Sequence, residues 1–305
     1  MRTLFKKFAV ITGILLIAST IASFQKSEKY TLAPKFKKGD ILKYKMVSDN
    51  ETAFSNQKVA MTMEMAYSFD VKEVNKDNYL LHLKYDAMKM NMPLMGLTFD
   101  SNTEDDVITP QNFSPLFKLL TKQTFELKMS KGGKVESFKG MDDLGKKIAA
   151  AFDPSVPDEM KNQLTEQFGK QYTQEGLKTI FDQMSATYPS KPVEVGDKWT
   201  QEVEIPVSGI STKINLTMTL KSVENNVALI DVDATLDTAE NAEIETNGIK
   251  IGASYKGTQK GTTKLDLKTG WTIESTITQN ISCSMEIMGN KTDMSIVSTM
   301  NISRY

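Results

Sequence analysis

Val59-Ala60-Met61-Thr62-Met63-Glu64-Met65-Ala66-Tyr67-Ser68-Phe69-Asp70-Val71 is the stretch that decides the fold. Every odd position carries an apolar or aromatic side chain, and the even positions are mostly polar or small. A period of two marks a β-strand, in which alternate side chains share one face. The stretch therefore predicts a long strand that turns Met61, Met63, Met65, Tyr67 and Phe69 to one side and leaves the other side wet.

The same alternation recurs on both sides. Tyr79, Leu81, Leu83 and Tyr85 continue it, as do Phe125, Leu127 and Met129. Further on come Ile214, Leu216, Met218 and Leu220, then Ile230, Val232 and Ala234, then Ile249, Ile251, Ala253 and Tyr255. A long run from Trp271 through Ile277, Ile281, Cys283 and Met285 reaches Gly289-Asn290, a turn signal, and returns through Met294, Ile296, Met300 and Ile302. One apolar and one polar face per strand means antiparallel sheets with one solvated side.

The middle of the chain reads differently. Leu144, Ile148 and Phe152 are spaced i, i+4, i+8, and Met160, Leu164 and Phe168 repeat that spacing. Leu177, Ile180, Phe181 and Met184 follow i, i+3, i+4, i+7, and Pro189 and Pro192 stop the pattern. The expected fold is mainly β with a helical insert. A first β module spans 30–139, two to three helices fill 140–190, and a second β module spans 191–305, each module a curved sheet or open barrel.

Three short anchors occur twice in the same order, which predicts an internal duplication. Lys38-Gly39-Asp40-Ile41-Leu42 is echoed by Val195-Gly196-Asp197-Lys198-Trp199, and Val71-Lys72-Glu73-Val74-Asn75 by Leu220-Lys221-Ser222-Val223-Glu224. Leu127 to Gly132 with Val135-Glu136-Ser137 is echoed by Leu265 to Gly270 with Ile273-Glu274-Ser275. Each Gly-Asp reads as a turn that launches a strand.

Phe36-Lys37-Lys38-Gly39-Asp40 with Tyr44, Pro192 through Trp199, and Gly261-Thr262-Thr263-Lys264-Leu265-Asp266 leading to Gly270-Trp271 carry a resemblance. In these turn-and-strand signatures the chain resembles a family of uncharacterised bacterial exported proteins. The resemblance implies a β-rich envelope protein and supplies no functional residues.

The 305 residues include 37 Lys+Arg and 38 Asp+Glu, a balance that argues against a polybasic nucleic-acid binder. One His and one Cys leave no His- or Cys-rich zinc site and no internal disulfide. Residues 1–22 read as a signal peptide: Arg2, Lys6 and Lys7 precede the apolar run Phe8–Ala22, and Thr20-Ile21-Ala22 supplies the small residues of a cleavage site. Retention as an N-terminal anchor is the alternative. The run is shorter than the about 20 residues a spanning helix needs, and no later segment is long and apolar enough to span. Losing the three cations takes the net charge from -1 to -4. The expectation is an exported protein, periplasmic or extracellular, with no integral span after cleavage.

Ser55-Asn56-Gln57-Lys58, Ser48-Asp49-Asn50 and Lys268-Thr269-Gly270 spell the three signatures of serine β-lactamases and penicillin-binding proteins, but in the wrong order, with Ser55 in a polar loop before a strand and Lys268-Thr269-Gly270 in a tight hairpin turn. His82, the one histidine, is in phase with Lys84 and Asp86 on the polar face of a strand. The acids Asp237, Glu240, Glu243 and Glu245 lack the spacing of a calcium loop. No enzyme activity and no cofactor are expected.

Methionine is the unusual feature, with 18 in the chain. Three readings stand side by side: ordinary core, a deformable cavity for an apolar ligand such as a lipid, and a soft-metal face for Cu(I) or Ag(I). The candidate apolar ligand face comprises Met61, Met63, Met65, Tyr67, Phe69, Met218 and Met285. The expected partner is an apolar small molecule or an envelope protein.

Overall fold

The computed structural model describes residues 28–54, 57–140, 144–159, 161–162, 188–207, 210–238, 242–246, 249–287 and 290–305. The signal-peptide region, Met160 and the predicted helices over Leu164–Met184 lie outside them. The first half contributes β1 (Ile41–Phe54), β2 (Gln57–Val74), β3 (Asn78–Met92), β4 (Leu97–Asp100), β5 (Phe125–Ser130) and β6 (Val135–Lys139). The second half contributes β7 (Lys198–Val207), β8 (Ile210–Glu224), β9 (Val227–Thr238), β10 (Glu243–Thr246), β11 (Ile249–Asp266), β12 (Trp271–Ile287) and β13 (Asn290–Arg304). Two α-helices occur among the described residues, α1 (Ser114–Thr121) and α2 (Leu144–Ala151).

The two expected modules are one sheet. All 13 strands pair antiparallel in the order β6-β5-β3-β2-β1-β13-β12-β11-β9-β8-β7, with β4 beside β3 and β10 beside β11. The seam is β1 with β13, paired from Tyr44↔Arg304 to Phe54↔Met294. The reason is the edge problem. Separate modules would each have left a long strand with a row of unpaired N–H and C=O groups, and pairing the first strand with the last removes both edges.

Helix α2 carries Leu144 and Ile148 on its buried side, as the spacing predicts. Helix α1 was not anticipated and lies inside the first half. Pro115 occupies its first turn, and Leu116, Phe117 and Leu120 are buried against β3 and β4. The Ser114 hydroxyl ties the helix start to β4 by accepting from the Asp100 N–H at 3.1 Å.

The sheet is rolled. Neighbouring strands lie about 4.8 Å apart, so β2 and β12, three steps apart, would be about 14 Å apart in a flat sheet. Phe69 on β2 and Trp271 on β12 instead have ring centroids 5.8 Å apart. Phe36, in the segment before β1, meets both Tyr79 on β3 (5.0 Å) and Trp271 (5.1 Å), edge to face. The Tyr44 hydroxyl donates to the Thr272 carbonyl at 2.7 Å across the intervening β13. Residues 30–36 strap this end. Tyr30 pairs with Val193, the Lys35 N–H donates to Thr269 O (2.7 Å), and Pro34 O accepts from the Tyr79 hydroxyl (2.9 Å).

Two glycines permit the roll. Gly257 and Gly261 lie on the inner face of β11, opposite Ile281 and Ile277. A Cβ on Gly261 would sit 2.0 Å from Thr276 O, and one on Gly257 2.6 Å from Asn280 O. The neighbouring backbone therefore occupies the space a side chain would take.

The two Gly-Asp turns share one hydrogen-bond pattern. Gly39 (φ 88°) donates to Val71 O at 2.8 Å, Val71 returns a bond to Asp40 O at 2.9 Å, and the Asp40 carboxylate accepts from the Lys37 N–H at 2.7 Å. At the other turn Gly196 (φ 97°) donates to Leu220 O at 2.7 Å, Leu220 returns a bond to Asp197 O at 3.1 Å, and Asp197 accepts from the Glu194 N–H at 2.8 Å. The register then slips at Lys72 and at Lys221, one residue past each contact.

Candidate functional site: a methionine-lined trough

Alternation gives the rolled sheet two unlike faces. Tracing the register from strand to strand places Leu42, Tyr44 and Met46 of β1 on the concave face with the odd residues of β2 and the even residues of β8, β9 and β13. The convex face carries cross-strand ion pairs such as Lys45–Glu64, Lys128–Glu136, Lys221–Asp231 and Lys264–Glu274. These exposed pairs contribute little stability individually and keep that face wet.

Burial on the concave face is graded along β1, β2, β3 and β13, whereas on β8, β9, β11 and β12 it persists to the far end. At the strapped end Leu42, Tyr44, Phe69, Val71, Leu81 and Leu83 are fully buried. Further along the same strands Met46, Met61, Met63, Met65, Met90 and Met92 are only half-buried, as are Met294, Ile296 and Met300 on β13. The strands are long enough to run past the packed core, and what extends beyond is a trough floored by thioethers.

A bulge keeps the methionines of β3 in this face. Ala66 pairs with Ala87 and Tyr67 with Tyr85, so Asp86 is an extra residue. It shifts the phase: Tyr79 to Tyr85 point inward at odd numbers, Met88 to Met92 at even ones. Met46, Met65 and Met88 consequently stand abreast, as do Met63 and Met90.

Of the residues singled out from the sequence, all seven lie on the concave face, but not in one environment. Tyr67, Phe69 and Met218 are sealed in the core, Met218 at 0% exposure. Met61, Met63 and Met65 line the trough. Met285 packs in a satellite cluster with Ile210, Ala253, Tyr255, Cys283 and Met294. Sequence reading did not single out Met46, Met300 or the amide pair Gln259 and Gln279, which also lie on this floor. Met46 was legible from the Leu42, Tyr44, Met46 alternation, whereas Gln259 was hidden between two glycines.

Among the described strand residues, Arg304 is the one charged side chain on the concave face. It is neutralised by Asp266, 3.2 Å away. Burial pushes the Asp266 carboxyl up, but the Lys268 N–H, the Arg304 guanidinium and the Thr269 hydroxyl outweigh it and hold its pKa below the usual value. Burial raises the Tyr44, Tyr67 and Tyr188 hydroxyls and the Cys283 thiol, so these groups stay protonated at neutral pH.

The remaining sequence motifs do not converge. His82 lies on the convex face between Asp70 and Glu126 of the flanking strands. Ser48-Asp49-Asn50 is part of β1, and Lys268-Thr269-Gly270 is the turn between β11 and β12. Asp105 and Asp106 sit side by side in an irregular loop. Among the described residues, no three His, Cys, Asp or Glu side chains are grouped to hold a metal, and no helix is long and apolar enough to cross a membrane.

Fold and site together define a class: a large, open, rolled antiparallel sheet whose concave face carries no unpaired charge among the described strand residues and is packed at one end and half-exposed at the other along β1, β2, β3 and β13. The chain belongs to a family of unknown function, DUF6263, whose signature matches residues 76–272. No curated protein matches it. Among solved structures it is similar to lipovitellin, described for its lipid–protein interactions, at 11% identity and a TM-score of 0.46. That match covers 89% of this chain and 25% of the lipovitellin chain, so the chain spans a quarter of that protein's length. An outer membrane channel of Pseudomonas putida F1 matches at 6% identity, covering 89% of this chain and 97% of the channel, with a TM-score of 0.22. OmpF of Salmonella typhi, in complex with daunomycin, matches at 7% identity, covering 87% and 98%, with a TM-score of 0.21.

Proposed function

We propose that the chain is an exported, non-enzymatic protein of the cell envelope that holds an apolar, lipid-like ligand in the methionine-lined trough. The observation that carries the reading is the row of half-buried thioethers at Met61, Met63 and Met65 on a floor without free charge. Exposed apolar surface in a concave setting is stabilised by a ligand that removes it from water, at about 25 cal/mol per Å². Unbranched, polarisable methionine adapts to chains of different shape. Among the described residues no histidine or free carboxylate stands beside the Ser48 and Ser298 hydroxyls of the trough to activate them, which supports binding over catalysis. The signal sequence supports export, and cleavage after Ala22 gives a mature protein that starts at Ser23. The matching turns at Gly39-Asp40 and Gly196-Asp197 support descent from a duplicated half whose copies share one sheet.

The test is titration with diphenylhexatriene, which fluoresces in an apolar site. Wild type brightens saturably, and a Met63→Asp/Met65→Asp variant that stays folded by circular dichroism does not. Equal signals from the two proteins remove the reading.

A second reading is a soft-metal site. It is favoured by Met46, Met65 and Met88 standing abreast, since neighbouring Cβ atoms in register lie about 4.5–5.5 Å apart and thioethers suit Cu(I) or Ag(I). Calorimetry with Cu(I) decides it: binding tighter than micromolar that is lost in Met65→Leu supports it, and no heat of binding ends it.

A further inference from the structure

The trough floor is not uniformly apolar. One row of paired positions crosses it as a strip of amides and hydroxyls: Asn50 on β1, Ser298 on β13, Gln279 on β12 and Gln259 on β11, each directly opposite the next. The rows on either side carry Ser48 and Thr52 on β1 and apolar side chains on β13, β12 and β9. Met300, Ile277 and Val232 lie toward the strapped end, and Ile296, Ile281 and Leu236 toward the open end.

Gln279 Nε2 donates to Gln259 Oε1 at 2.9 Å. That bond uses one donor of Gln279 and the carbonyl of Gln259. The Gln259 amide N–H₂ and the Gln279 carbonyl have no protein partner among the described residues, and both side chains are half-buried. Gly257 and Gly261 flank Gln259 along β11, so no side chain on its own strand covers the pair. A free donor and a free acceptor thus stand side by side, half-buried, with Ile277 and Ile281 flanking Gln279 on β12.

Resting on the reading of the trough as a lipid site, we propose that the Gln259–Gln279 pair recognises the head of an amphiphile, and that this head is neutral. Its chemistry is that of an ester, amide or glycerol hydroxyl, which accepts from Gln259 Nε2 and donates to or packs against Gln279 Oε1. The acyl chain lies along the thioethers of β2 and β3. A carboxylate or phosphate head is disfavoured because the floor has no free cation to match it: Arg304 is already paired with Asp266.

The experiment uses the full mature chain and three probes: monoolein with a neutral head, oleate with a charged one, and octadecene with none. Each is titrated by displacement of diphenylhexatriene at neutral pH. Wild type is expected to bind monoolein about tenfold more tightly than either of the others, the scale of one or two net hydrogen bonds. In Gln259→Leu/Gln279→Leu that preference over octadecene disappears while octadecene binding is retained. Comparing the probes on wild type needs no variant, so a folding defect in the double mutant leaves the test intact. Oleate binding as tightly as monoolein, or monoolein no tighter than octadecene on wild type, overturns the neutral-head assignment while the trough reading stands. Failure of all three probes, with no diphenylhexatriene signal, overturns both.

Discussion

Gly261→Ala probes the roll of the sheet, on which the trough depends. The added Cβ would lie 2.0 Å from Thr276 O and 2.8 Å from the Ile277 Cα. Carbon–oxygen contacts settle at about 3.3–3.6 Å, so β11 and β12 must separate by more than about 1 Å at that point. Overpacking of this kind costs about 1–3 kcal/mol, and because backbone is struck the upper end applies. The alanine recovers about 0.4–1 kcal/mol by restricting the unfolded chain, for a net loss of about 2 kcal/mol. Gly252→Ala on the same strand is the matched control. Its Cβ meets the Glu286 Cβ at 3.7 Å, an ordinary contact, so only the unfolded-state gain remains. Urea denaturation of both variants, followed by circular dichroism, gives the two stabilities. At about 2–4 °C per kcal/mol for a chain somewhat shorter than this one, the melting temperature of Gly261→Ala falls by several degrees and that of Gly252→Ala holds or rises slightly. Equal behaviour of the two variants would refute the claim that Gly261 permits the curvature.

Phe36→Ala removes the ring that joins Tyr79 to Trp271 and is expected to cost about 3–5 kcal/mol, measured by the same denaturation; a loss below 1 kcal/mol would show that the strap does not hold the roll closed. Asp266 has its pKa lowered in the folded state, so the unfolded chain binds the extra proton in acid. Stability from this group is present above the ordinary carboxylate pKa and is lost as pH falls through the folded value. Asp266→Asn is therefore less stable at neutral pH and loses less on acidification, which melting curves from pH 7 to pH 3 check. Limited peroxide treatment followed by peptide mass spectrometry should oxidise Met61, Met63 and Met65 ahead of Met88 and Met218, which are 2% and 0% exposed; uniform oxidation of the native protein contradicts the graded burial. The buried Cys283 thiol should react with iodoacetamide at pH 8 only as fast as the protein unfolds, and modification within seconds would place it outside the core.

The concave face was legible residue by residue because its signal is local. A period of two in Val59–Val71 suffices to say which side chains turn together, and the same holds for β8, β9 and β13. The union of the halves into one sheet was not legible. Pairing between Tyr44 and Arg304 joins residues 260 positions apart, and no pattern within either strand states its partner. The bulge at Asp86 was hidden for a similar reason: the residue is unremarkable, and only the opposing register shows that it is surplus. The third repeated anchor shows how sequence likeness can slip. It sets Lys128 against Asp266, whereas equivalent strand pairings, Asn78↔Ser130 and Val227↔Asp266, set Ser130 there. A two-residue slip preserves the face, so hydrophobic pattern alone does not detect it. Helix α1 escaped because eight residues give barely two turns of periodicity, though Ser114-Pro115 marked its start. The trough itself was half legible. The methionines announced it, but their division into a sealed part and an open part depends on where the strap and α1 stop covering the sheet.

The central claim is that an apolar ligand lies on the open part of the concave face, and photo-crosslinking tests it most directly. The protein is loaded with a monoacylglycerol whose chain carries a diazirine, irradiated, and digested for mass spectrometry. Adducts confined to the peptides that hold Met61 to Met65 and Met88 to Met92, suppressed by excess unlabelled monoolein, are the predicted result. Adducts scattered over the convex strand faces, or none above a protein-free background, would contradict it.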